Sequence, residues 1–488
     1  MNNNRDRTNT NISCGQDGHD LARSMESADW MEQVRNLNAE HALSTGKVRT
    51  FRLDVFGCQM NERDAETIAG MLTNMGYEQV SHDEPADIIV FVTCCVRENA
   101  EEKIYGHIGA LSHECEKHGS IIVASGCMMQ QPHVAEKIKK SYRNVKIVFG
   151  THNIHDFPML LHRYLTKRKR VFEVWEKEGR VIEDMPIKRS HRHKAWVNIV
   201  YGCNNFCTYC IVPYVRGRER SRRREDILEE IRALASDGCR EITLLGQNVN
   251  SYGNDLGKKD LFARLLYDIE TVDGIDRVRF MTSHPKDLSD SLIKAMKECS
   301  KVCEHLHLPF QAGSNRVLER MNRKYTREHY LDLVERIRDA VPDIALTTDI
   351  IVGFPGENEE DFEDTLDLVR RVRFDAAYTF IYSPRKGTPA EKWEQTESPE
   401  TISKRFQRLL EIQTDISTQL AKKYEGRTVE VLVDGPSKSN PEMQSGRTRT
   451  GRLVNFKGDT DLTGQMADVN IIRAGAFWLE GKEGKRRG

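Results

Sequence analysis

Three cysteines stand close together in one short run, Tyr201-Gly-Cys-Asn-Asn-Phe-Cys-Thr-Tyr-Cys210. Cys203, Cys207 and Cys210 have the spacing C-x3-C-x2-C and directly follow a predicted strand that begins at Trp196. Three thiolates on one short loop can hold three irons of a cubane iron–sulfur cluster, which leaves the fourth iron without a protein ligand. An open iron of this kind suits a small chelating molecule that carries an amino and a carboxylate group.

A structural zinc site is the alternative for this loop. Such a site would need a fourth Cys or His at a fixed spacing. The nearest candidates, His191 and His193, lie on the far side of the predicted strand in a basic stretch. The chain has 12 cysteines, and disulfides are rare in a reducing cytoplasm. Metal ligands or reactive thiols are therefore the first interpretation of this count.

Three further cysteines share a placement in the N-terminal part of the chain. Cys58, Cys94 and Cys127 each follow a predicted strand, and the carboxyl ends of parallel strands meet at one edge of a sheet. Three thiolates brought together there predict a second cluster that again lacks a protein ligand on one iron. For any one of these residues alone, a buried apolar cysteine is the more common explanation.

The elements that position these cysteines follow from the alternation of strand and helix patterns. Apolar and β-branched runs separated by helical patterns are typical of a doubly wound parallel sheet; they lie at Thr50–Phe56, Asp87–Thr93, Ile121–Ser125 and Val145–Phe149. A second series from Trp196 to about Tyr424 contains six βα units and predicts a partial (β/α)6 barrel. From Arg427 onward, short runs separated by turn residues predict a small all-β barrel.

The length of 488 residues corresponds to about three domains. We expect an α/β domain over residues 46–165, a barrel domain over residues 195–424 and a small β domain over residues 425–488. Residues 1–45 are polar and have no clear period, so they predict a disordered leader. Residues 166–194 predict a basic linker.

The cluster loop resembles the signature of the radical S-adenosylmethionine enzymes, including the aromatic Tyr209 directly before the third cysteine. Three further runs resemble sequences in the N-terminal domain of the methylthiotransferases: Phe56-Gly-Cys-Gln-Met-Asn61, Thr93-Cys-Cys-Val-Arg-Glu98 and Ser125-Gly-Cys-Met128. With the C-terminal module, which looks like a TRAM domain, the chain resembles the radical S-adenosylmethionine methylthiotransferase family over about residues 48–485.

This resemblance implies two [4Fe-4S] clusters. Cys203, Cys207 and Cys210 would hold the radical cluster, and an auxiliary cluster would be held by Cys58, Cys94 and Cys127. Cys95 would be a packing residue, because the family places its ligand at the position of Cys94. S-adenosylmethionine would serve both as methyl donor and as radical source.

Loops after successive barrel strands carry the residues expected to contact S-adenosylmethionine. The order of these loops resembles the family's binding site, and we expect the contacts to come from Tyr209, Gln247, Ser283, Gln311, Asp349 and Gly353. No acid or base side chain is predicted to be catalytic, because an unreactive aromatic C–H bond offers no acidic proton.

The runs Gly57-Cys-Gln-Met-Asn61 and Gly246-Gln-Asn-Val-Asn-Ser-Tyr252 are most similar to the branch of the family that modifies N6-isopentenyladenosine. The implied reaction is methylthiolation of carbon 2 of that nucleoside at position 37, beside the tRNA anticodon. Two alternatives stay open. One is a sister methylthiotransferase that acts on threonylcarbamoyl-adenosine or on a ribosomal protein aspartate; the other is a non-catalytic iron–sulfur protein that binds RNA.

Basic residues are concentrated in two places, although the net charge is only −1. Ten Lys or Arg and one acid, Glu219, lie between Ile187 and Arg224. The C-terminal module adds Lys438, Arg447, Arg449, Arg452 and Lys457. A solvated surface or a dimerisation appendage would explain the same charges, but together they favour a tRNA anticodon stem-loop as partner.

Neither a membrane-spanning run nor a secretory signal is visible in the sequence. We therefore expect a cytoplasmic protein without a membrane contact. We also expect a monomer that receives electrons from an external donor such as flavodoxin or ferredoxin.

Overall fold

The computed structural model describes residues 17–95, 98–179, 181–458 and 461–484. The chain divides into two compact units. The first holds residues up to Phe56 together with Asp64–Cys94 and Glu101–Lys188. The second holds two short segments, Gly57–Arg63 and Cys95–Ala100, and the chain from Arg189 onward.

The first unit is built on a parallel sheet that has six strands over the described residues 50–173. The order is β2-β1-β3-β4-β5-β6. The strands are β1 (Thr50–Val55), β2 (Glu78–Gln79), β3 (Ile88–Thr93), β4 (Ile121–Gly126), β5 (Val145–Phe149) and β6 (Val171–Glu173). Strands β3 and β4 are buried along their whole length, as continuous apolar strands of a sheet covered on both faces are. The order reverses between β1 and β3, which confirms the doubly wound sheet.

Helices connect these strands and cover the sheet. They are α1 (Asp17–Thr45), α2 (Gln59–Asn74), α3 (Glu98–Ala110), α4 (Ser112–His118), α5 (Pro132–Ser141) and α6 (Phe157–Lys167).

The prediction of a disordered leader over residues 1–45 is wrong for residues 17–45, which form α1; residues 1–16 lie outside the described residues. Met31 and Val34 of α1 are buried in the core of the first unit. The Asn38 side-chain amide donates to the Met75 carbonyl at 2.7 Å. The apolar residues of α1 are too sparse to show a helical period, so the sequence pattern missed it.

The linker predicted over residues 166–194 also contains regular structure. Helix α6 extends to Lys167, and the three residues of β6 add a strand to the sheet. The Arg170 guanidinium fixes this turn by donating to the carbonyls of Val145 and Tyr142 at 2.9 Å each. A strand of three residues is too short to show an alternating pattern.

The second unit begins with an open barrel whose strands follow one another in chain order. They are β7 (Lys194–Asn198), β10 (Glu241–Leu245), β11 (Arg277–Phe280), β12 (His305–His307), β13 (Ala345–Val352) and β14 (Ala376–Ile381). The two parallel halves meet where the Val278 amide donates to the Lys301 carbonyl at 2.7 Å and its carbonyl accepts from Cys303 at 3.0 Å. The predicted (β/α)6 barrel is therefore confirmed, and its strand ends meet at one rim.

The barrel is surrounded by helices, and a short two-stranded sheet lies between β7 and α8 (Arg224–Ser236) along the chain. That sheet pairs β8 (Val200–Tyr201) with β9 (Arg220–Ser221). The helices are α7 (Val212–Val215), α8 (Arg224–Ser236), α9 (Leu261–Glu270), α10 (Asp290–Glu298), α11 (Asn315–Arg320), α12 (Arg327–Ala340), α13 (Glu359–Val372) and α14 (Pro399–Lys422).

The C-terminal module is a closed barrel in the order β15-β16-β17-β19-β18, as predicted. Its strands in the described residues are β15 (Thr428–Pro436), β16 (Gln444–Thr448), β17 (Leu453–Lys457), β18 (Met466–Gly475) and β19 (Trp478–Glu483). Its core contains Val431, Val454, Phe456, Val469 and Leu479.

Arginines join the closed barrel to the open one. Arg277 of β11 is fully buried, and it donates to the Arg447 carbonyl at 2.8 Å and to the Glu430 carboxylate at 2.7 Å. Arg449 makes a bidentate contact of 2.8 Å with Glu304, and Arg452 pairs with Asp375 at 2.6 Å. The expectation that Arg449 and Arg452 serve RNA contact is therefore corrected, because both side chains bind the neighbouring barrel.

Among the helices of the described chain, none is long and apolar enough to cross a lipid bilayer.

We expect the Arg449–Glu304 pair to stabilise the docking of the two barrels. A double-mutant cycle with Arg449→Gln and Glu304→Gln should give a coupling energy of about 1 kcal/mol in urea unfolding, because the contact is bidentate and partly buried. The pair Arg473–Glu480 within the closed barrel, whose arginine is exposed, is the matched control, and its coupling should stay below about 0.5 kcal/mol. Equal coupling in both cycles would contradict this role.

Candidate functional site

The predicted cluster loop leaves the barrel rim through a turn that only glycine fits. Gly202 has a φ of 72°, and a Cβ there would lie 2.0 Å from the Arg218 carbonyl oxygen. The Cys203 amide then donates to the Gly217 carbonyl at 3.1 Å, and the Cys210 amide donates to the Cys207 carbonyl at 3.0 Å. These bonds fold the run into a compact loop in which Cys203 and Cys207 are buried and Cys210 is half-buried.

The segment that follows α11 holds this loop from the other side. The Thr208 amide donates to the Met321 carbonyl at 3.1 Å, and its hydroxyl donates to the Arg320 carbonyl at 2.8 Å. The Asn322 side-chain amide donates to the carbonyls of Asn205 and Phe206 at 3.2 and 3.0 Å. Met321 and Asn322 thus bind backbone groups of the cluster loop, and Arg320 accepts from one of its side chains.

Arg323 reaches one of the thiols directly. Its Nη1 lies 3.5 Å from Cys207 Sγ, its Nη2 donates to the Pro309 carbonyl at 2.9 Å, and its Nε donates to the Tyr325 hydroxyl at 3.2 Å. Burial alone would lower the pKa of this guanidinium, but Tyr325, Tyr209 and Cys207 together raise the pKa well above its ordinary value. The protein therefore places a permanent cation among thiols that would carry negative charge as ligands.

Burial dominates the electrostatics of the thiols themselves. It raises the pKa of Cys203 to about 11, and the neighbouring Cys207 adds to this effect. Burial and then Cys207 also raise the pKa of Cys210 far above its usual range. Cys207 thus contributes to the raised pKa of both other thiols of the loop.

A cavity of about 890 Å³ opens beside the loop at the barrel rim. The three cysteines of the loop line it, and so does Cys58 from the segment Gly57–Arg63. Five of the six residues expected to contact S-adenosylmethionine share this wall; they are Tyr209, Gln247, Ser283, Gln311 and Asp349. The second unit therefore gathers side chains that are far apart in the sequence around one volume.

Several of these side chains are held by neighbours. Gln247 Nε2 donates to Met60 Sδ at 2.6 Å, which links the cavity wall to the segment that carries Cys58. Asp349 Oδ2 lies 3.5 Å from His307 Nε2.

Gln311 has a φ of 67°, in the left-handed region. Its amide donates to the Asp349 carbonyl at 3.0 Å, and its carbonyl accepts from Ile351 at 2.9 Å. These two bonds to β13 offset the cost of the strained backbone.

Among the residues that the structure describes, Gly353 is not one of those that line the cavity. Its φ is 72°, and a Cβ there would lie 2.8 Å from the Ile402 side chain, so the packing of α14 explains the glycine without a ligand. The Gly353 amide donates to Glu357 Oε2 at 2.6 Å. Burial raises the pKa of that carboxyl to about 7, although Arg405 opposes the shift.

Two buried polar atoms beside the cavity are orphaned. Ser283 Oγ and His284 Nε2 have no hydrogen-bond partner among the described residues. Burial, followed by Arg323 and Lys286, lowers the pKa of His284 far below its ordinary value, so its ring is neutral. In a native protein such atoms are satisfied by an ordered water, an ion or a bound molecule. Ser283 is among the residues expected from the sequence, whereas His284 and Arg323 are not, because no strand-end motif distinguishes them.

The donor set fits an iron–sulfur cluster better than a single ion. In the described part of the chain, no three His, Cys, Asp or Glu side chains converge on one point as the ligands of one metal ion would. Cluster ligands each bind a different iron, so three neighbouring thiols need no common point. The cation at Arg323 and the unpaired atoms of Ser283 and His284 suit a charged group and its bound partner.

The other two cysteines expected at the auxiliary cluster lie in the first unit. Cys94 and Cys127 are both buried, and each follows the carboxyl end of its strand, β3 or β4, which are neighbours in the sheet. Cys58 follows the adjacent strand β1 along the chain. Cys95 is as buried as Cys94, so the choice of Cys94 as the ligand stays a prediction.

Three family models match successive parts of the chain. The model described as "Uncharacterized protein family UPF0004" matches residues 50–150, "Radical SAM superfamily" matches residues 197–369, and "TRAM domain" matches residues 422–482. The matches follow the order of the α/β unit, the open barrel and the closed barrel.

Similar proteins are found over nearly the whole length. A protein of Acetivibrio thermocellus, named tRNA-2-methylthio-N(6)-dimethylallyladenosine synthase, is 53% identical over 478 residues, which is 98% of each chain. A relative of the same name from Alkaliphilus oremlandii is 54% identical and aligns with 94% of this chain and 96% of its own.

A solved structure shares the fold. TsrM from Kitasatospora setae, a radical S-adenosylmethionine methyltransferase, matches with a TM-score of 0.52 at 13% identity, covering 75% of this chain and 89% of TsrM. At this identity the likeness concerns the fold alone.

We expect Arg323 to set the reduction potential of a cluster reconstituted on Cys203, Cys207 and Cys210. Arg323→Met removes a charged donor to Cys207, so the midpoint potential should become more negative by tens of millivolts, where about 59 mV is tenfold for one electron. Redox titration followed by EPR measures this shift, and Arg323→Lys should restore part of it.

Arg320→Met is the matched control, because Arg320 donates to the Pro355 carbonyl and stacks on Trp393. Its potential should equal that of the parent. If Arg323→Met and Arg320→Met shift the potential equally, direct tuning by Arg323 is refuted.

Glu357 should make stability fall as pH rises from about 5 to 8. The pKa of the Glu357 carboxyl is about 7 in the folded state, against an ordinary value of 4.5. The folded state therefore keeps the proton up to a higher pH than the unfolded state does. The contribution of this proton to the stability of the folded state is present at low pH and is lost as pH rises through about 7. Glu357→Gln stays neutral, so its melting temperature relative to the parent should rise by about 2 °C or more between pH 5 and pH 8.

The exposed Glu360 provides the control for this measurement. Glu360→Gln should show a difference from the parent that is nearly constant across the same pH range. A constant difference for Glu357→Gln as well would rule out the raised pKa.

Proposed function

Because the chain belongs to the family of the tRNA-2-methylthio-N(6)-dimethylallyladenosine synthases, we propose that it is a radical S-adenosylmethionine methylthiotransferase that modifies tRNA. It adds a methylthio group to carbon 2 of N6-isopentenyladenosine at position 37, which gives 2-methylthio-N6-isopentenyladenosine. One observation carries this proposal: Cys58 lines the same cavity as Cys203, Cys207 and Cys210. A ligand of the sulfur-bearing cluster and the ligands of the radical cluster thus border the volume where a base would sit.

Two sets of three thiols would each hold one of the two clusters. Cys203, Cys207 and Cys210 would hold the radical [4Fe-4S] cluster, and Cys58, Cys94 and Cys127 would hold the auxiliary [4Fe-4S] cluster. When bound, the clusters and S-adenosylmethionine supply radical chemistry at an unactivated C–H bond together with the sulfur and the methyl group. The auxiliary set rests on the family resemblance and on the adjacency of β1, β3 and β4.

The protein's own residues bind S-adenosylmethionine, orient the target carbon and enclose the reacting groups. The cavity wall supplies polar contacts to S-adenosylmethionine from Tyr209, Gln247, Ser283, Gln311 and Asp349. Its apolar parts, such as Ile211, Val212 and Leu245, exclude water from the reacting groups. No side chain has to act as an acid or base, because the substrate carbon carries no acidic proton. The rate therefore depends on placement of the target carbon.

The RNA partner is supported by the TRAM match and by charge. Lys438, Arg447 and Lys457 of the closed barrel are exposed, unlike Arg452, and cations of this kind contact phosphates. The partner is the anticodon stem-loop of tRNA, and the protein acts as a cytoplasmic monomer without a membrane contact. An external donor such as flavodoxin or ferredoxin supplies the electrons. No observation favours the sister substrates or a non-catalytic role.

The test uses the anaerobically reconstituted protein with reductant, S-adenosylmethionine and an anticodon stem-loop. The stem-loop carries either isopentenyl-adenosine or threonylcarbamoyl-adenosine, and nucleoside mass spectrometry detects the product. We expect a methylthio mass gain on the first substrate alone, together with 5′-deoxyadenosine. A gain only on the second would replace the substrate, and absence of both products with intact clusters would refute the enzyme.

Single cysteine variants separate the two sets of thiols. Cys203→Ala should lose both 5′-deoxyadenosine and methylthio product by at least about 100-fold, because the radical cluster loses a ligand. Cys58→Ala should keep 5′-deoxyadenosine and lose the methylthio product. Cys239→Ala, at a buried thiol outside both sets, is the control and should keep both products. Normal methylthio yield from Cys58→Ala would contradict the division.

A further inference from the structure

An aromatic and cationic cluster lies beside the cavity rim and is not used by the reaction described above. Tyr214 exposes 46% of its surface, and its ring meets the ring of Phe206 edge to face, with centroids 6.0 Å apart. The exposed Arg218 lies with its Cζ 4.2 Å from the centroid of the Phe206 ring. Phe206, Tyr214 and Arg218 together are called the aromatic platform here.

The platform is held in place by strained backbone. Phe206 has a φ of 47° and Asn322 a φ of 59°, both in the left-handed region that few residues other than glycine adopt. The Asn322 side chain binds the Phe206 carbonyl at 3.0 Å and thereby fixes the ring's backbone. Backbone strain of this kind persists where the surroundings enforce it, and it is concentrated at functional sites.

The basic stretch around the platform is mostly committed to the fold. Arg216 is buried and donates to Asn61 at 2.9 Å, Arg222 is buried against the Asn198 carbonyl and Glu230, and Arg224 pairs with Asp268. Arg218 is exposed, and its guanidinium covers the Phe206 ring. An arginine on an aromatic ring is a surface on which nucleobases stack.

The position of the platform relates it to the cavity. Asn205 and Cys207, on either side of Phe206, line the cavity, and so does Val212, two residues before Tyr214. Lys286 also binds the Asn205 side chain at this rim. An enzyme that acts on a base must take it out of its stack, which leaves the adjacent bases without a neighbour.

We propose that the aromatic platform stacks the unpaired nucleobase that flanks the nucleotide in the cavity. This inference rests on the proposed function and adds a second RNA contact to it. The aromatic faces replace the stacking that the flanking base loses, and Arg218 adds charge near the adjacent phosphate. The contact is tolerant of base identity, because every base has a flat aromatic face.

The test is a binding cycle between protein and RNA that needs no turnover. Fluorescence anisotropy measures the affinity of a labelled anticodon stem-loop carrying isopentenyl-adenosine for the reconstituted protein. Tyr214→Ala should weaken binding by roughly 5- to 150-fold, the range of one base–aromatic stack, and Tyr214→Trp should retain it. A stem-loop that lacks one flanking base should bind the parent as weakly as the intact RNA binds Tyr214→Ala.

The combination of Tyr214→Ala with the stem-loop that lacks the base should add no further loss. The salt dependence should stay unchanged in Tyr214→Ala, because no cation is removed, and it should become shallower in Arg218→Gln. The control Tyr267→Ala, at an exposed tyrosine on α9, should bind as the parent does. Iron content measured for each variant shows that the cluster loop is intact.

Each outcome separates the platform from the proposed function. If the parent does not bind the stem-loop, both the proposed tRNA substrate and the stacking role of the aromatic platform are refuted. If the parent binds and Tyr214→Ala binds equally well, the platform is refuted while the function stands. If Tyr214→Ala keeps RNA affinity but is reduced more slowly by flavodoxin, the platform is a protein-docking surface and the inference is overturned.

Discussion

The contact between Arg323 and Cys207 is the interaction on which the candidate site depends. Burial and the neighbouring Cys207 raise the pKa of Cys210, and the buried Arg323 guanidinium, 3.5 Å from Cys207 Sγ, opposes that shift. The same arginine binds the Pro309 carbonyl beyond β12, so the loop is fixed to the barrel rim. With Asn322 and Thr208, it keeps the thiols in the wall of the cavity that Cys58 also lines.

Arginine performs distinct tasks in the second unit, and its sequence neighbourhood does not reveal which. Arg449 and Arg452 lie among turn residues of a basic module, yet they bind Glu304 and Asp375 of the open barrel. Arg216 and Arg222 lie in the most basic run of the chain and are buried. Charge density in a sequence indicates a polyanionic partner only after the ion pairs inside the fold have been identified.

The parts of the fold with strong periodicity could be predicted from the sequence. Strand β5 lies at Val145–Phe149 as predicted, and the open barrel has the six strands expected for it. Helix α1 and strand β6 could not, because tertiary packing rather than local pattern determines them. In the site, the cysteine spacing located the loop, and five expected polar residues line one cavity. His284 and Arg323 line the cavity because of packing between residues distant in the sequence. Position 353 requires glycine because a Cβ there would clash with the Ile402 side chain.

Closure of the C-terminal barrel has a consequence for association with other chains. Strand β17 pairs with β19 and β15 with β18, so the five strands in the described residues form a ring without an unpaired edge. An open edge offers a row of backbone donors and acceptors on which a foreign strand can add, which is a common start of aggregation. The closed ring offers no such edge, so a partner of the folded module must be recognised through its side chains and loops.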